Sequence, residues 1–219
     1  MSNQQIAKLL RNVAASYTIK DEKKFHFQIV AYQKAADTIS NLTEELKDFY
    51  LEGRLKSLPG IGNTLKSHLA ELFEKGKVSH FQWVLKDIPE SVFVLMEIPS
   101  FGPIKSYKLV KEFNLNDAKT VIDDLKGVAK AGKITKLEGF GDKSQTDVLR
   151  SIKEYKEGKG KTSRMPLPYA FEIAEKIVSY LRKCQDVEKA EALGSLRRRV
   201  STVGDIDIAA AGISPKKII

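Results

Sequence analysis

The 219-residue sequence is poor in cysteine and has no long hydrophobic run. Its single cysteine, Cys184, excludes an internal disulfide and a metal site built on clustered cysteines, and it fits a reducing compartment. No stretch approaches the apolar length of a membrane span, and residues 1–10 lack the cationic and apolar parts of a secretory signal. We therefore expect a cytoplasmic, intracellular protein with no membrane partner.

Acidic residues are in deficit. The chain carries 37 Lys and Arg against 28 Asp and Glu, which gives a formal net charge of +9. This excess favours a polyanionic partner, although a solubilising surface excess explains the charge equally well. The hydrophobic content of 42% is enough for a packed core, and the length predicts one or two compact units.

Apolar residues recur at three- and four-residue spacing through the first fifty residues. This spacing predicts helices over about residues 3–17, 25–39 and 43–53. Composition changes at Lys156–Arg164, where Lys, Gly, Ser and Thr predict a linker or exposed loop. Beyond it, a helix near Pro168 and two alternating runs, Val187–Leu193 and Val203–Ile208, predict an α+β region with two strands.

A short glycine motif occurs three times. The copies are Leu58–Gly62, Ile98–Gly102 and Leu137–Gly141, which begin 40 and 39 residues apart, and each precedes an amphipathic segment. We interpret each as helix, tight turn, helix, and we name them the first, second and third hairpins. Glycine lets backbone N–H groups approach a phosphate, and the next helix directs its N-terminal amides to the same place.

This pattern resembles the helix-hairpin-helix motif of DNA repair and replication proteins. The alternative is that the glycines only permit tight helical connections, and three copies at matched spacing favour phosphate binding. Ser100 replaces the first glycine of the second copy, and Glu138 and Asp142 add negative charge beside the third, so the first hairpin is the best predicted binder. The candidate DNA-binding residues here are Gly60, Ile61, Gly62, Gly102, Gly139, Gly141, Lys66, Lys105 and Lys143.

A second constellation lies near the C-terminus. The turn Gly194-Ser195 follows a predicted strand, and Asp205 and Asp207 follow ten and twelve residues after Ser195. On a strand, side chains two apart share a face, so the two carboxylates are expected to point the same way. Such a pair suits Mg²⁺, which completes its coordination with water and substrate phosphates. The alternative for an isolated Asp-x-Asp is a solvated strand end.

The span Gly194–Ile208 resembles the palm signature of the DNA polymerase X family, within the wider nucleotidyltransferase superfamily. The resemblance implies that Asp205 and Asp207 are the catalytic, metal-binding carboxylates, with Mg²⁺ or Mn²⁺ and a deoxynucleoside triphosphate as cofactor and substrate. It also implies a monovalent cation at the hairpins. Its nucleotide-binding residues here are Gly194, Ser195, Arg198, Gly204 and Arg164.

The resemblance covers nearly the whole chain. Residues 1–85 resemble the family's helical lyase-type domain, 86–158 its helical fingers with the second and third hairpins, and 159–219 the start of an α+β palm. The implied fold is mainly α with an incomplete palm, of the bacterial type. The implied function is gap-filling DNA repair, including base excision repair, on gapped or nicked duplex DNA, with nucleoid association. The oligomeric state stays open.

Two departures from the family pattern change the expected activity. The third carboxylate that the family takes from a later strand is absent, so we expect no polymerase activity from this chain alone. His68 stands where the family has the lyase lysine, and imidazole forms no Schiff base, so lyase activity requires another amine such as Lys66. Of the family's 5′-phosphate pocket, Tyr32 and Lys34 match, whereas Gln28 replaces a basic residue.

Three hypotheses stay open. The chain is part of a gap-filling DNA polymerase, or a non-catalytic DNA-binding module with a vestigial palm, or a nucleotidyltransferase of another substrate class. The three hairpins are surplus to the last of these, which makes it the weakest.

Overall fold

A computed structural model describes residues 1–158, 165–184, 186–199 and 202–212, without the side chains of Met165, Pro166, Ser195 and Thr202. The chain divides into two compact units, Met1–Gly160 and Lys161–Ile219. The mainly helical fold predicted from the apolar spacing is confirmed. Among the described residues, no helix has the length and hydropathy to cross a membrane.

The first unit is built from helices joined by short turns. Two 3-10 turns, Arg54–Ser57 and Ile134–Lys136, precede the first and third hairpins. The helices are α1 (Asn3–Asp21), α2 (His26–Ser40), α3 (Leu46–Leu51), α4 (Asn63–Lys75), α5 (Ser79–Leu85), α6 (Glu90–Leu95), α7 (Pro103–Glu112), α8 (Val121–Lys130) and α9 (Asp142–Lys156).

Local hydrogen bonds set the helix limits. Ser2 and Gln5 form a capping box that starts α1, which continues to Asp21 beyond its predicted end. The predicted third helix is too long at both ends. Its first turn is fixed by Asn3, whose side-chain oxygen accepts a hydrogen bond from the Leu46 amide at 2.8 Å, and it ends before Gly53, which has a left-handed φ of 71°.

Two buried clusters fill the first unit. One runs from Ile6 to Val84, and the other runs from Ile88 to Ile152 and includes Ala15 of α1. Because α1 supplies side chains to both, it joins the two clusters. Leu69 of α4, the helix that follows the first hairpin, is fully buried, and burial of one such leucine stabilises the fold by about 1.5–3 kcal/mol. This packing holds the start of α4 in a fixed position.

The second unit is small. Its elements are β1 (Met165–Pro166), α10 (Leu167–Leu181), β2 (Lys189–Ala192), α11 (Gly194–Arg197), β3 (Thr202–Val203) and β4 (Ile208–Ala211). β1 pairs antiparallel with β3, and β2 pairs antiparallel with β4, so the described strands form two separate two-stranded sheets. Its buried cluster contains Ala170, Ala174, Leu196 and Val203.

The predicted strand Val203–Ile208 is wrong as a continuous element. Val203 pairs with Met165, whereas Ile208 pairs with Ala192 in the other sheet. The chain therefore bends at Gly204 and Asp205 to pass from one sheet to the next. The predicted strand Val187–Leu193 is shorter than expected: its paired residues with β4 are Lys189 to Ala192, and one further backbone hydrogen bond flanks them at each end, from Glu188 and from Leu193.

Candidate functional site

The three hairpins close with the same backbone turn. The fourth residue donates its amide to the carbonyl of the first at 3.2, 3.1 and 2.9 Å, in the pairs Ile61 to Leu58, Phe101 to Ile98 and Phe140 to Leu137. The third residue is left-handed in each, with φ of 81° at Gly60, 70° at Ser100 and 83° at Gly139. This is the pattern of a type II turn, which requires a positive φ at its third position.

Each turn leads directly into a helix whose first residues have no side-chain cap. The N-cap residues are Gly62, Gly102 and Gly141, all exposed, and none of them offers a side chain to the free amides. The first amides of a helix have no partner within the helix and lie at its positive end. Each hairpin therefore presents backbone donors that suit an oxyanion.

The first hairpin is braced from α2. The hydroxyl of Thr38 donates to the carbonyl of Pro59 at 2.9 Å. The side chain of Lys34 covers the turn so closely that a Cβ on Gly60 would lie 2.9 Å from its Cγ. The first turn of α4 contains no acidic residue. Lys34 thus brings a positive charge to a hairpin whose helix start carries no acid to repel an anion. Lys66 lies half-buried one turn along α4.

The second hairpin has fewer donors. Pro103 is the first residue of α7 and has no amide hydrogen, which removes one donor from the set. Lys105 does not extend into solvent, because its ammonium lies 4.3 Å from the ring centroid of Phe101. Burial lowers the pKa of Lys105, and Asp147 partly opposes this shift. The predicted phosphate-binding lysine of this hairpin is therefore engaged in packing.

The third hairpin is tied to α7 and carries negative charge. Lys108 of α7 donates to the backbone carbonyl of Glu138 and lies 5.9 Å from the ring centroid of Phe140. Asp142 is the first residue of α9, where a carboxylate competes with an incoming phosphate for the helix amides. Lys143 beside it is exposed. The same turn therefore has a weaker attraction for anions here.

A cleft of about 930 Å³ opens beside the first hairpin. Its wall contains two stacked imidazoles, His68 of α4 and His80 of α5, with ring centroids 4.9 Å apart and planes 11° apart. The hydroxyl of Tyr32 lies 3.0 Å from Nδ1 of His68, and that of Tyr17 lies 2.6 Å from Nε2 of His80. The floor is therefore a hydrogen-bonded aromatic assembly from four helices.

Burial shifts the pKa of three groups in this assembly. It raises the pKa of the Tyr32 and Tyr17 hydroxyls, and it lowers the pKa of His68, which the neighbouring His80 lowers further. Tyr32 is 4% exposed, so it lies in the core, with only its polar end at the cleft. Gln28 lines the cleft at the position predicted to have lost a basic residue.

Sequence reasoning missed three residues of this cleft, namely Tyr17 as a polar contact, His80 and Phe27. Phe27 lines the cleft and is 85% exposed. One signal was present in the sequence: Phe27 falls off the stripe of Phe25, Ile29 and Tyr32, so the helical period does not account for it by burial. His80 carried no local signal, because α4 and α5 bring it to His68 only through packing.

The second unit brings the predicted Gly-Ser turn to Asp207. The amide of Leu193 donates to the carbonyl of Asp207 at 2.8 Å, which continues the pairing of β2 with β4. Gly194 has a φ of 57°, and a Cβ there would lie 2.1 Å from Oδ2 of Asp207. The left-handed backbone favours glycine here, and any larger residue would also displace the Asp207 carboxylate from its present position.

The two aspartates lie in the bend before β4, and both are exposed, whereas Ile206 and Ile208 are half-buried. Within the described residues, no group of three His, Cys, Asp or Glu side chains is placed to hold a metal ion. Two carboxylates fit Mg²⁺ or Mn²⁺ only if water and phosphate oxygens complete the shell. Gly204 begins the bend and Arg198 is exposed, while the Ser195 side chain and Arg164 lie outside the described residues.

Comparison with known proteins finds similarity over residues 1–78 and over the whole chain. A family model described as a helix-hairpin-helix domain matches residues 1–78, which include the first hairpin. The chain is also 31% identical over 218 residues to a protein of Bacillus subtilis (strain 168) described as "DNA polymerase/3'-5' exonuclease PolX". That alignment covers 100% of this chain and 36% of the relative, so the chain spans little more than a third of the relative's length.

Proposed function

We propose that this chain, which is 31% identical over 218 residues to the relative described as a polymerase and exonuclease, is the DNA-holding portion of a DNA polymerase of the X family. The observation that carries the proposal is the threefold repeat of one turn, each copy ending at an uncapped helix N-terminus. Backbone amides bind phosphate without reading bases, so the proposed binding is independent of sequence.

The first hairpin is the main contact in this proposal. It has a full set of helix amides, no acid in the first turn of α4, and the side chain of Lys34 over Gly60. The second hairpin lacks the amide at Pro103, and the third has Asp142 at its helix start. We propose a gapped or nicked duplex as the substrate, which fits a role in gap-filling repair in the cell's nucleoid.

Nucleotidyl transfer is the proposed chemistry of the complete enzyme. Asp205 and Asp207 would hold Mg²⁺ or Mn²⁺, and Gly194, Ser195 and Arg198 would bind the triphosphate of a deoxynucleotide. The metal would neutralise charge on the phosphates during in-line displacement. The described residues supply two carboxylates, and we propose that a third is needed. Residues 1–219 alone are therefore expected not to extend a primer.

Schiff-base lyase chemistry is not part of the proposed function. The family resemblance puts His68 where the lyase lysine is expected, and Nδ1 of His68 is hydrogen-bonded to the hydroxyl of Tyr32 at 3.0 Å. Borohydride trapping with a 5′-deoxyribose-phosphate end is expected to give no covalent adduct. A trapped adduct that disappears in Lys66→Ala would instead assign the chemistry to that amine.

Gly62, Gly102 and Gly141 offer a matched test of the proposal. Their φ values are −77°, −79° and −105°, and a Cβ at any of them meets no atom within 4 Å. Aspartate is a good N-cap, so Gly62→Asp should preserve or raise helix stability while its carboxylate occupies the amides and repels phosphate. The control is Gly127→Asp, which adds the same charge on the exposed surface of α8.

Fluorescence anisotropy with a labelled one-nucleotide-gapped duplex gives the readout. We expect the Gly62→Asp variant to lose affinity for the duplex by about tenfold or more, because a repulsive carboxylate replaces one charge-assisted contact with phosphate. The Gly102→Asp variant should lose less, and Gly141→Asp least. Equal affinity for Gly62→Asp and Gly127→Asp would contradict the proposal.

The second candidate function is a non-catalytic DNA-binding module with a vestigial palm. The close approach of the Asp207 carboxylate to Gly194 favours the polymerase over this candidate. A carboxylate packed on a glycine in a left-handed conformation is a specific arrangement, as a retained metal site requires. Mn²⁺ binding followed by paramagnetic relaxation distinguishes the two candidates. Binding that disappears in Asp205→Asn and Asp207→Asn supports the polymerase, and no binding supports the module.

A further inference from the structure

A cavity in the second unit has no assigned role. Its volume is about 280 Å³, and it is lined by residues of α10, β2 and α11 together with residues that directly follow these helices. Of the described residues predicted to hold the nucleotide and the metal, none lines it, including Gly194, Arg198, Asp205 and Asp207. The proposed nucleotidyl-transfer chemistry therefore does not account for this cavity.

Small side chains leave the space for the cavity. Ala174 of α10 and Ala192 of β2 lie in its wall, where a larger side chain would fill it. Val178 and Leu196 complete an apolar floor, and both are buried. The ring of Phe171 also lines the cavity and is 45% exposed, so part of its face is available to a ligand. This lining suits an apolar group.

Arginines line the cavity beside the apolar floor. Arg182 is held in place, because its Nε and Nη2 donate to the carbonyl of Ala190 at 3.2 and 2.9 Å. Arg197 and Arg199 line the cavity as well, and both are exposed. Three guanidinium groups therefore lie around one small apolar space, one of them fixed and two able to adjust to a ligand.

The acids of the lining do not neutralise these arginines. Glu191 is paired with Lys189 at 3.1 Å, and Glu175 is exposed. Among the described residues, Arg197 and Arg199 have no carboxylate partner. The cavity therefore attracts an anionic group. The presence of two glutamates in the same lining argues against a uniformly charged polyanion such as duplex DNA.

The volume restricts the class of ligand. Sites for small molecules and cofactors have volumes of about 300–1,000 Å³, and this cavity lies below that range. A nucleotide is therefore a poor fit, whereas a single large side chain can enter while its own backbone stays outside. Apolar anchors set in a pocket next to arginines are typical of the centres of protein interfaces.

We propose that this cavity docks an acidic peptide segment of a protein partner, which inserts one large apolar side chain against Phe171 and Leu196. Carboxylates flanking that side chain pair with Arg197 and Arg199, since a guanidinium group binds a carboxylate through two parallel hydrogen bonds. Arginine clusters recognise acidic motifs in this way. The inference goes beyond the DNA-holding function, because it rests on residues of the second unit alone and adds a protein as partner.

Fluorescence anisotropy of the full chain with a short labelled peptide tests the proposal. The probe has one phenylalanine flanked on both sides by glutamates, and we expect saturable binding. A peptide with alanine in place of the phenylalanine, and a peptide with lysines in place of the glutamates, should each bind about tenfold more weakly or less. Absence of saturable binding, or equal binding of all three peptides, would overturn the proposal.

Two variants assign the binding to the cavity. Ala192→Leu fills the space for the anchor, and Arg199→Gly removes one charge at a residue with a φ of 53°, which glycine adopts more readily than arginine. Each should weaken peptide binding by about tenfold. The control is Lys183→Gln, which removes a charge at an exposed position outside the cavity and should leave the affinity unchanged.

Circular dichroism confirms that each variant is folded, and Arg199→Gly keeps the test decisive if Ala192→Leu does not fold. Parent-like peptide affinity in a folded Arg199→Gly variant would contradict the proposed site. An equal loss in Lys183→Gln would also contradict it, because the peptide would then respond only to the overall charge of the unit.

Two competitors distinguish other occupants of the cavity. The first is a blunt DNA duplex, and the second is phenylpropionate, a small aromatic carboxylate. If the duplex displaces the peptide and binds more weakly to Arg199→Gly, the cavity belongs to a DNA-binding surface and the proposal is wrong. If phenylpropionate binds as tightly as the peptide, the cavity is a small-molecule site and the proposal is also wrong. Peptide binding that resists both competitors supports a protein partner.

Discussion

The first and third hairpins have the same turn and different surroundings. In both, a glycine with φ near 80° is followed by a glycine N-cap and an amphipathic helix. The first has Lys34 over its turn, whereas the third has Glu138 within the turn and Asp142 at the start of α9. The backbone therefore supplies the donors, while neighbouring side chains determine how strongly those donors attract an anion.

The largest expected effect comes from removing the turn glycines. Gly60→Ala and Gly139→Ala both force alanine into a left-handed conformation, which costs about 1–2 kcal/mol of the free energy of unfolding. At Gly60 the new Cβ also meets Lys34 Cγ at 2.9 Å, whereas at Gly139 the nearest atom is Lys108 Nζ at 3.9 Å. Urea denaturation should therefore give a greater loss for Gly60→Ala. Equal losses would contradict the close packing of Lys34 on the first turn.

At the second hairpin the shared turn geometry can be tested by introducing a glycine instead of removing one. Ser100 has a φ of 70° where the other copies have glycine. Ser100→Gly relieves the left-handed strain, and the greater freedom of glycine in the unfolded chain offsets part of that gain. The free energy of unfolding should therefore rise by about 0.5–1 kcal/mol. The control is Ser67→Gly within α4, which should destabilise by about 0.5–1 kcal/mol. Destabilisation in both variants would contradict the common turn geometry.

Charge at the third hairpin has a smaller effect. Asp142→Asn removes the carboxylate from the helix start and should raise affinity for a gapped duplex by about two- to fivefold. The measurement is best made in the Gly62→Asp background, where the first hairpin does not mask the third. Asp87→Asn removes an equal charge outside the hairpins and serves as the control. No difference between these two variants would mean that the third hairpin does not contact DNA.

The smallest expected effect is the pH dependence of the free energy of unfolding that comes from His68 in the cleft beside the first hairpin. Burial and His80 hold the pKa of His68 below its ordinary value, so the unfolded chain binds a proton more readily than the folded chain. The contribution of His68 to stability is full above about pH 6.5 and is lost as the pH falls from there towards its lower folded pKa.

Thermal unfolding at about pH 7.5 and about pH 5.5 measures this contribution, because these values bracket the ordinary histidine pKa. His68→Gln should lose less stability on acidification than the parent chain does. His26→Gln, which removes an exposed histidine of α2, is the matched control. An identical loss in His68→Gln would show that protonation of His68 does not oppose folding.

The parts of the fold that the sequence predicted are those encoded locally. The hairpins follow from apolar and glycine spacing within five residues, and all three have the expected helix after the turn. The cleft was not predictable in this way, because Tyr17, Tyr32, His68 and His80 come from four helices that meet only by packing.

The second unit shows the same limit for strands. Alternation in Val203–Ile208 predicts the exposure of Asp205 and Asp207 correctly, since alternation is a local property. It does not reveal that Val203 and Ile208 pair with different strands, and that pairing forces the bend between them. The approach of Asp207 to Gly194 likewise depends on the long-range ladder between β2 and β4.

The most direct test of the phosphate-binding account is an amide NMR titration of the chain with a gapped duplex. We expect the largest chemical-shift changes at the amides of Ile61, Gly62 and the first turn of α4. Smaller changes are expected at Phe101 and Gly102, and the smallest at Phe140 and Gly141. Saturable binding that leaves the amides of the first hairpin unchanged would contradict it.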